Sequence, residues 1–541
     1  MNRATVADAI RHYRGGDRAG ARRVCEGILA ARPADHDARL LLAMLLIDDG
    51  EAERGGTLAE EILRHAPDHA GARHALGKAC ARTGRAEAAL KHLERAITLN
   101  PRNPDAYLDL GALHARQQRP KEAEAVLRRA LVIAPQHPAL LANLAGLLTA
   151  RGEAAEAVTL LRRLVAQAPQ APAAHYNLAI ALKAAGDIAG AVEHYRRAIA
   201  LKPDYVDAHH NLGNALLDLG RVTEATEAYE TATRIRRAPG AAVPRGLRTN
   251  ASKLRHDIEQ LRYLIEARRV DQDAAAAIPA LEAALAWVSA HAPDVPRAEL
   301  PDEIARPLAP FYNRLLYRPA SEAVPGGALN RGLDIGAIEA DYHRNRPGMT
   351  HIDGFLRAEA LAALRRFCLE ATVWYEARYA NGYLGAFLDD GFCSPLLLQI
   401  AEDLRQALPA IFGSHTLRKL WAFKYDSRLS GIPMHADFAA VNVNFWVTPD
   451  EANLDPEGGG LVVWDKEAPL AWDFATYNND QAAIRQFLAE TGARAINVPH
   501  RQNRVVIFNS DLFHATAPLT FRDGYENRRI NVTMLYGRRG T

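Results

Sequence analysis

AHYNLAIALKAAGDIAGAVEHYRRAIALKP, Ala174 to Pro203, has a glycine near its middle and a proline at its end, and both marks recur along the chain. Prolines stand at Pro33, Pro67, Pro101, Pro135, Pro169 and Pro203, each 34 residues after the last. Glycines keep the same interval at Gly16, Gly50, Gly84, Gly152, Gly186 and Gly220, with Gln118 alone breaking the series. A glycine that turns the backbone and a proline that cannot continue a helix make each unit two helices joined by a turn. Ala89, Ala123, Ala157, Ala191 and Ala225 follow the turn by five residues, a small side chain where two helices must approach closely. No single pair can bury its apolar stripe alone, so neighbours are expected to stack into an all-α solenoid with a concave groove.

This period and its punctuation resemble the tetratricopeptide repeat family, about seven units over residues 1–235. Asn143, Asn177 and Asn211 take the same position in three consecutive units, and Asp109 takes it in the unit before. A side-chain amide offers donor and acceptor together, so a row of them can pair with the main chain of an extended peptide whatever its sequence. The resemblance implies that the row lines a groove for a protein or peptide. Contacts between adjacent repeats are the plainer use of the same side chains.

At 541 residues the chain is too long for one core. A formal charge of +2 provides no electrostatic footprint for a polyanion, which argues against nucleic acid. No apolar run is read as approaching the roughly 18 residues of a membrane span, and MNRATVADAIRHYRGG has no apolar signal region. Cys25, Cys80, Cys368 and Cys393 are scattered without paired spacing, so neither a disulfide framework nor a zinc knuckle is expected. A reducing cytoplasm is the simplest home. Residues 236–345 read as a helical cap and connector: APGAAVPRG interrupts the repeats, and ASKLRHDIEQLRYLIEARRV is an amphipathic helix suited to covering the end of a solenoid.

From residue 346 the pattern changes. HIDGFLRAEALAALRRF reads as a short strand and a helix, and PLLLQIAEDLRQALP as further helix. LWAFKYD, VNVNFWV, GGLVVWD, INVP, RVVIFN and INVTMLYG then read as strands. Helices leading into many short strands predict an antiparallel barrel or jelly roll. In IPMHADFAAVNVNFWV, an extended backbone points His435 and Asp437 to the same side. His514, in VVIFNSDLFHATAPL, supplies a third ligand. Two imidazoles and a carboxylate that leave neighbouring positions open suit non-haem iron(II), whereas a structural zinc site would be closed by four ligands, commonly thiolates. A second His-x-Asp, His351 and Asp353, leads straight into a helix, and Asp353 reads as a cap near its start. Asn442 and Asn444 interrupt an apolar strand, so at least one is expected to face a polar pocket. In ENRRINVTMLYG, alternation puts Arg529, Asn531 and Thr533 on one face, a cation and a hydroxyl able to meet an anion.

Residues 346–541 thereby resemble the iron(II)/2-oxoglutarate-dependent dioxygenases, particularly the prolyl-hydroxylase-like branch, on the spacing of His435, Asp437 and His514 and on an arginine followed at i+4 by a threonine. The resemblance implies an α+β double-stranded β-helix, or jelly roll. It implies Fe(II) on the two histidines and the aspartate, 2-oxoglutarate as cosubstrate and dioxygen as oxidant. Arg529 and Thr533 would hold the distal carboxylate, with Arg522 and Arg528 as alternatives because TFRDGYEN lengthens the interval. Tyr425, ten residues before His435, occupies the place of a cosubstrate tyrosine, and Asn444 is a further candidate contact. Hydroxylation of a protein or peptide side chain gripped by the repeats is the expected activity. The alternatives are a small-molecule or carrier-bound substrate with the repeats recruiting a partner, and a repeat scaffold without catalysis.

Overall fold

The computed structural model describes residues 4–238, 246–293, 295–377, 382–426 and 431–540. Most of APGAAVPRG, where the repeats were read to end, lies outside them, as does part of the stretch between Tyr425 and His435.

Fourteen helices run in sequence from Val6–Arg14 to Val222–Arg236. The periodic glycines adopt φ between 73° and 93°, the left-handed conformation that ends a helix without a Cβ clash. Gln118 takes the same turn at φ 58°, so the break in the glycine series leaves the geometry intact. The five periodic alanines are fully buried, as a close helix approach requires. Asp109, in the asparagine row, accepts from His74 of an earlier helix at 2.7 Å. Asn143 turns its amide onto its own helix, donating to Ala139 O at 2.8 Å. At Asp109 the plainer reading holds, whereas the Asn143 bond stays within one helix.

The chain forms two compact units, Met1–Leu201 and Lys202–Thr541. Six helix pairs make up the first. The seventh, Val206–Asp218 and Val222–Arg236, belongs to the second unit, where Asp218 pairs with Arg418, Glu230 with Arg318, and Arg236 and Arg237 with Asp390. Helices Ala251–Glu266 and Ala277–His291 pack together through Leu254, Ile258 and Leu261 against Ala277, Leu281, Ala284 and Val288. Gln260 fastens the first of them to Leu369 O and Ala371 O at 3.1 and 3.0 Å. One correction arises here: Ala274–His291 is long and apolar enough to cross a membrane by length and composition, although no such run was expected. Its buried stripe against the neighbouring helix is also how a packed helix reads.

Among the described residues of the second unit eleven strands follow: β1 (Arg248–Thr249), β2 (Ala298–Glu299), β3 (Met349–Asp353), β4 (Tyr383–Phe387), β5 (Leu417–Tyr425), β6 (Val441–Trp446), β7 (Leu461–Glu467), β8 (Ala495–Val498), β9 (Arg504–Asn509), β10 (Leu512–Thr516) and β11 (Ile530–Tyr536). β1 and β2 pair with each other. The rest form a six-stranded sheet, β3-β9-β6-β11-β5-β4, and a three-stranded sheet, β10-β7-β8, with every pairing antiparallel. Trp446, Val506 and Phe508 of the larger sheet share one apolar cluster with Leu461, Val463, Val498 and Leu512 of the smaller, so the sheets face each other. The short strand read at HIDGFL and the six read beyond it are present as β3, β5, β6, β7, β8, β9 and β11. β1, β2 and β4 are additions, and the VVIFNSDLFHATAPL stretch that carries His514 forms two strands, β9 and β10. An Asx turn, Asp511 N to Asn509 Oδ1 at 3.0 Å, separates those two strands.

Asp353 corrects the cap expected there. It ends β3 and is held by Arg504 and Arg501, while the following helix, Ala358–Glu370, has Arg357 at its N-cap.

Two outcomes follow. Replacing His74 by alanine is expected to lower stability by about 1–3 kcal/mol, because it strands the Asp109 carboxylate and removes a buried bond; chemical denaturation measures this. A fragment spanning 202–541 is expected to melt cooperatively, whereas 236–541 loses Asp218 and Glu230, the partners of Arg418 and Arg318, and the Thr233 side chain that packs at Gly391, and does not; circular dichroism separates them.

Candidate metal centre

His435 precedes β6 on an extended segment, not within a strand, and forms an isolated antiparallel bridge with His514 of β10. Each backbone N–H donates to the other residue's carbonyl, at 3.0 and 2.8 Å, which sets the ring centroids 4.3 Å apart. Each ring also places Nδ1 beside the carbonyl two residues back, Pro433 O at 2.9 Å and Leu512 O at 3.0 Å. Nδ1 therefore carries the proton, and Nε2 keeps its lone pair for a ligand. Asp437, tied by its N–H to Ser510 O at 3.1 Å, brings Oδ2 to 3.5 Å from His514 Nε2. One ligand atom from each of the three residues lies within 4.8 Å of the others.

The surroundings keep these groups in ligating form. Burial and the neighbouring His514 push the His435 imidazole down to about 4, so it is neutral in ordinary buffers. Burial would raise the Asp437 carboxyl, but the imidazoles of His514 and His435 beside it and the hydrogen bond from Asn442 outweigh it and hold it below its usual range. Two neutral nitrogens and one carboxylate oxygen on one side of a site suit a divalent transition metal. The open side meets a cleft of about 750 Å³ lined by His435, Asp437, Phe474 and Trp421, with His210 and Arg236 from the seventh helix pair.

A polar chain runs inward from the carboxylate. Asn442 donates to Asp437 Oδ2 at 2.7 Å and accepts from Asn444 at 2.6 Å; Asn444 accepts in turn from Asn531 at 2.9 Å and from Thr533 Oγ1 at 2.8 Å. The asparagines that break the apolar pattern of β6 therefore orient the metal-facing carboxylate.

Arg529, 1% exposed, donates to the carbonyls of Gly459 and Gly460 and lies 4.6 Å above the Tyr425 ring. Gly460 admits no side chain, since a Cβ would stand 1.8 Å from Val498 O. Among the described residues no carboxylate pairs with Arg529, and its Nη1 has no hydrogen-bond partner. Burial lowers its pKa. Tyr425 Oη meets Thr516 Oγ1 at 3.2 Å. The alternative Arg528 is committed to Glu259 at 2.8 Å, and Arg522 is exposed.

Two features had gone unread. Helices Phe474–Asn479 and Gln481–Glu490 clamp the histidine-bearing segment: Tyr477 O accepts from Ala436 N at 3.0 Å, Asn478 donates to Ala436 O and Gln481 to Met434 O. Apolar residues at Ile484, Phe487 and Leu488, behind the Asp473 and Asp480 caps, are the signal that would have placed them. His500, buried near Arg529, had no signal beyond its residue type.

Comparison with known proteins reaches the repeats. Residues 1–202 match the family profile of the cilia and flagella-associated protein 70 C-terminal domain, and residues 176–242 match a tetratricopeptide repeat profile. The N-terminal 240 residues are tetratricopeptide repeats. Among solved structures, MamA residues 41 to the end from Desulfovibrio magneticus RS-1 is 22% identical over 32% of this chain and 98% of its own, with a TM-score of 0.31. YrrB, described as a TPR protein with an unusual peptide-binding site, is 22% identical over 35% and 96%, at 0.29. A tetratricopeptide repeat protein from Parabacteroides merdae ATCC 43184 is 15% identical over 42% and 91%, at 0.33. No curated protein sequence matches the chain.

Replacing Asn442 by alanine is expected to weaken manganese(II) binding by about 10–100-fold, as loss of an outer carboxylate partner does, and His514→Ala to abolish it. Anaerobic titration calorimetry on the full chain reads both, and an Asn442→Ala variant that binds like wild type would contradict the orienting role.

Proposed function

We propose that the second half of the chain is an iron(II)- and 2-oxoglutarate-dependent dioxygenase of the double-stranded β-helix, or jelly-roll, kind, and that it oxidises a side chain of a protein or peptide. One observation carries this reading: a cluster of two histidines and an aspartate shares a fold with a buried guanidinium that pairs with no carboxylate among the described residues. A closed structural site would need neither the cleft nor the arginine.

His435, Asp437 and His514 would hold iron(II), which supplies the oxidative decarboxylation of 2-oxoglutarate to succinate and carbon dioxide, with the second oxygen atom of dioxygen inserted into a C–H bond. The chain's own residues position the reactants. Arg529, fixed by two backbone carbonyls, offers Nη1 to the far carboxylate. Tyr425 and Thr533 flank or face the same interior, and Asn444 links that interior to Asp437. Tyr383, Phe387, Trp421 and Phe423, aromatic residues of β4 and β5 along the cleft, exclude water from the approach of a substrate.

Tetratricopeptide repeats are protein-binding scaffolds, and the family profiles reach only them. That observation favours the plainer reading raised from the sequence, a repeat scaffold without chemistry of its own. The two readings differ in a direct measurement. Full-length protein given iron(II), ascorbate and 2-oxoglutarate in air is expected to release succinate, and Arg529→Ala to raise the KM for 2-oxoglutarate by about 100-fold or more, the loss of a buried charge-assisted pair. Absence of both succinate and 2-oxoglutarate binding, with a partner still captured, would leave the scaffold reading standing.

A further inference from the structure

His500 lies in the turn between β8 and β9, and its side chain is fully buried. Its backbone N–H donates to Gly458 O at 3.2 Å, so the turn is stitched to the same glycine run that holds Arg529. The imidazole stands 5.8 Å from the Trp446 ring, which is also 5.8 Å from the Arg529 guanidinium carbon, and meets Phe521 edge-on at 5.1 Å. Among the described residues neither ring nitrogen has a hydrogen-bond partner; the nearest acid there, Asp450, keeps its oxygen 3.8 Å from Nδ1, beyond bonding reach.

Three buried groups with no partner therefore gather around Trp446 and Gly458–Gly460: Arg529 Nη1, Trp446 Nε1 and the His500 ring. A fold that leaves several buried donors unpaired in one place is matched by a ligand that accepts from them. Burial, with the charges of Arg529 and Arg504, pushes His500 down to about 3, so the ring is neutral and presents one N–H without adding a second cation.

We infer that His500 is a positioning residue for the far carboxylate of the 2-oxo acid, acting beside Arg529 and setting the length of acid the site accepts. This rests on the dioxygenase reading. The test uses the full chain loaded anaerobically with manganese(II) and titrated by calorimetry with 2-oxoglutarate and with 2-oxobutyrate, which keeps the chelating end and lacks the far carboxylate. Wild type is expected to prefer 2-oxoglutarate. His500→Phe, or His500→Leu if only that variant keeps the wild-type melting transition, is expected to lose about 10-fold in 2-oxoglutarate affinity and nothing for 2-oxobutyrate. His500→Gln, which retains an N–H donor, should recover most of the loss. In succinate assays the same change should appear in KM and not in kcat. Unchanged 2-oxoglutarate binding in the apolar variant, or an equal loss for both acids, overturns the role of His500 and leaves the dioxygenase reading intact. A wild-type chain that binds neither acid overturns both.

Discussion

The mutual pair of backbone hydrogen bonds between His435 and His514 is the constraint on which the second half of this protein turns. It joins an extended segment ahead of β6 to a strand of the smaller sheet, so the two imidazoles are set by main chain and not by side-chain preference alone. The carbonyls of Pro433 and Leu512 then fix both tautomers. Asp437, two residues on, reaches the same point because extended backbone repeats its direction every second residue. From the aspartate, Asn442 and Asn444 carry the polar order inward to β11.

Packing explains why that bridge is stable. The Phe474–Asn479 and Gln481–Glu490 helices hold Met434 and Ala436 through main-chain contacts and bury Phe513 beside His514. The two sheets close over Trp446, Val506 and Phe508, so the edge that carries His514 sits on an apolar layer. Sites on such support hold geometry better than sites on free loops.

Much of this was legible from residue order because the signals were local. A 34-residue punctuation specifies helix pairs directly, and even Gln118 conforms because the surrounding stack dictates its turn. The strands of the second half announced themselves by β-branched and aromatic runs, and the structure brings together His435, Asp437 and His514, which the sequence grouped as one candidate site. What escaped was set by tertiary context. β10 needed knowledge of the turn at Asn509–Asp511, and Asp353 exchanged an apparent cap for an ion pair with Arg504 that closes only when β3 meets β9. Asn442 became the partner of Asp437 through folding, and His500 acquired interest only from what surrounds it. The seventh helix pair reads like its predecessors yet is bonded, through Asp218, Glu230 and Arg237, to partners 88 to 200 residues further along the chain.

The backbone cradle of Arg529 has a last consequence. Because peptide carbonyls of Gly459 and Gly460 steady the guanidinium and, among the described residues, no acidic side chain pairs with it, an anion arriving there would have no resident rival to evict. Occupancy of that pole would then be governed by shedding the newcomer's own hydration, which makes it selective for ions that surrender water readily and indifferent to rearrangement of the host.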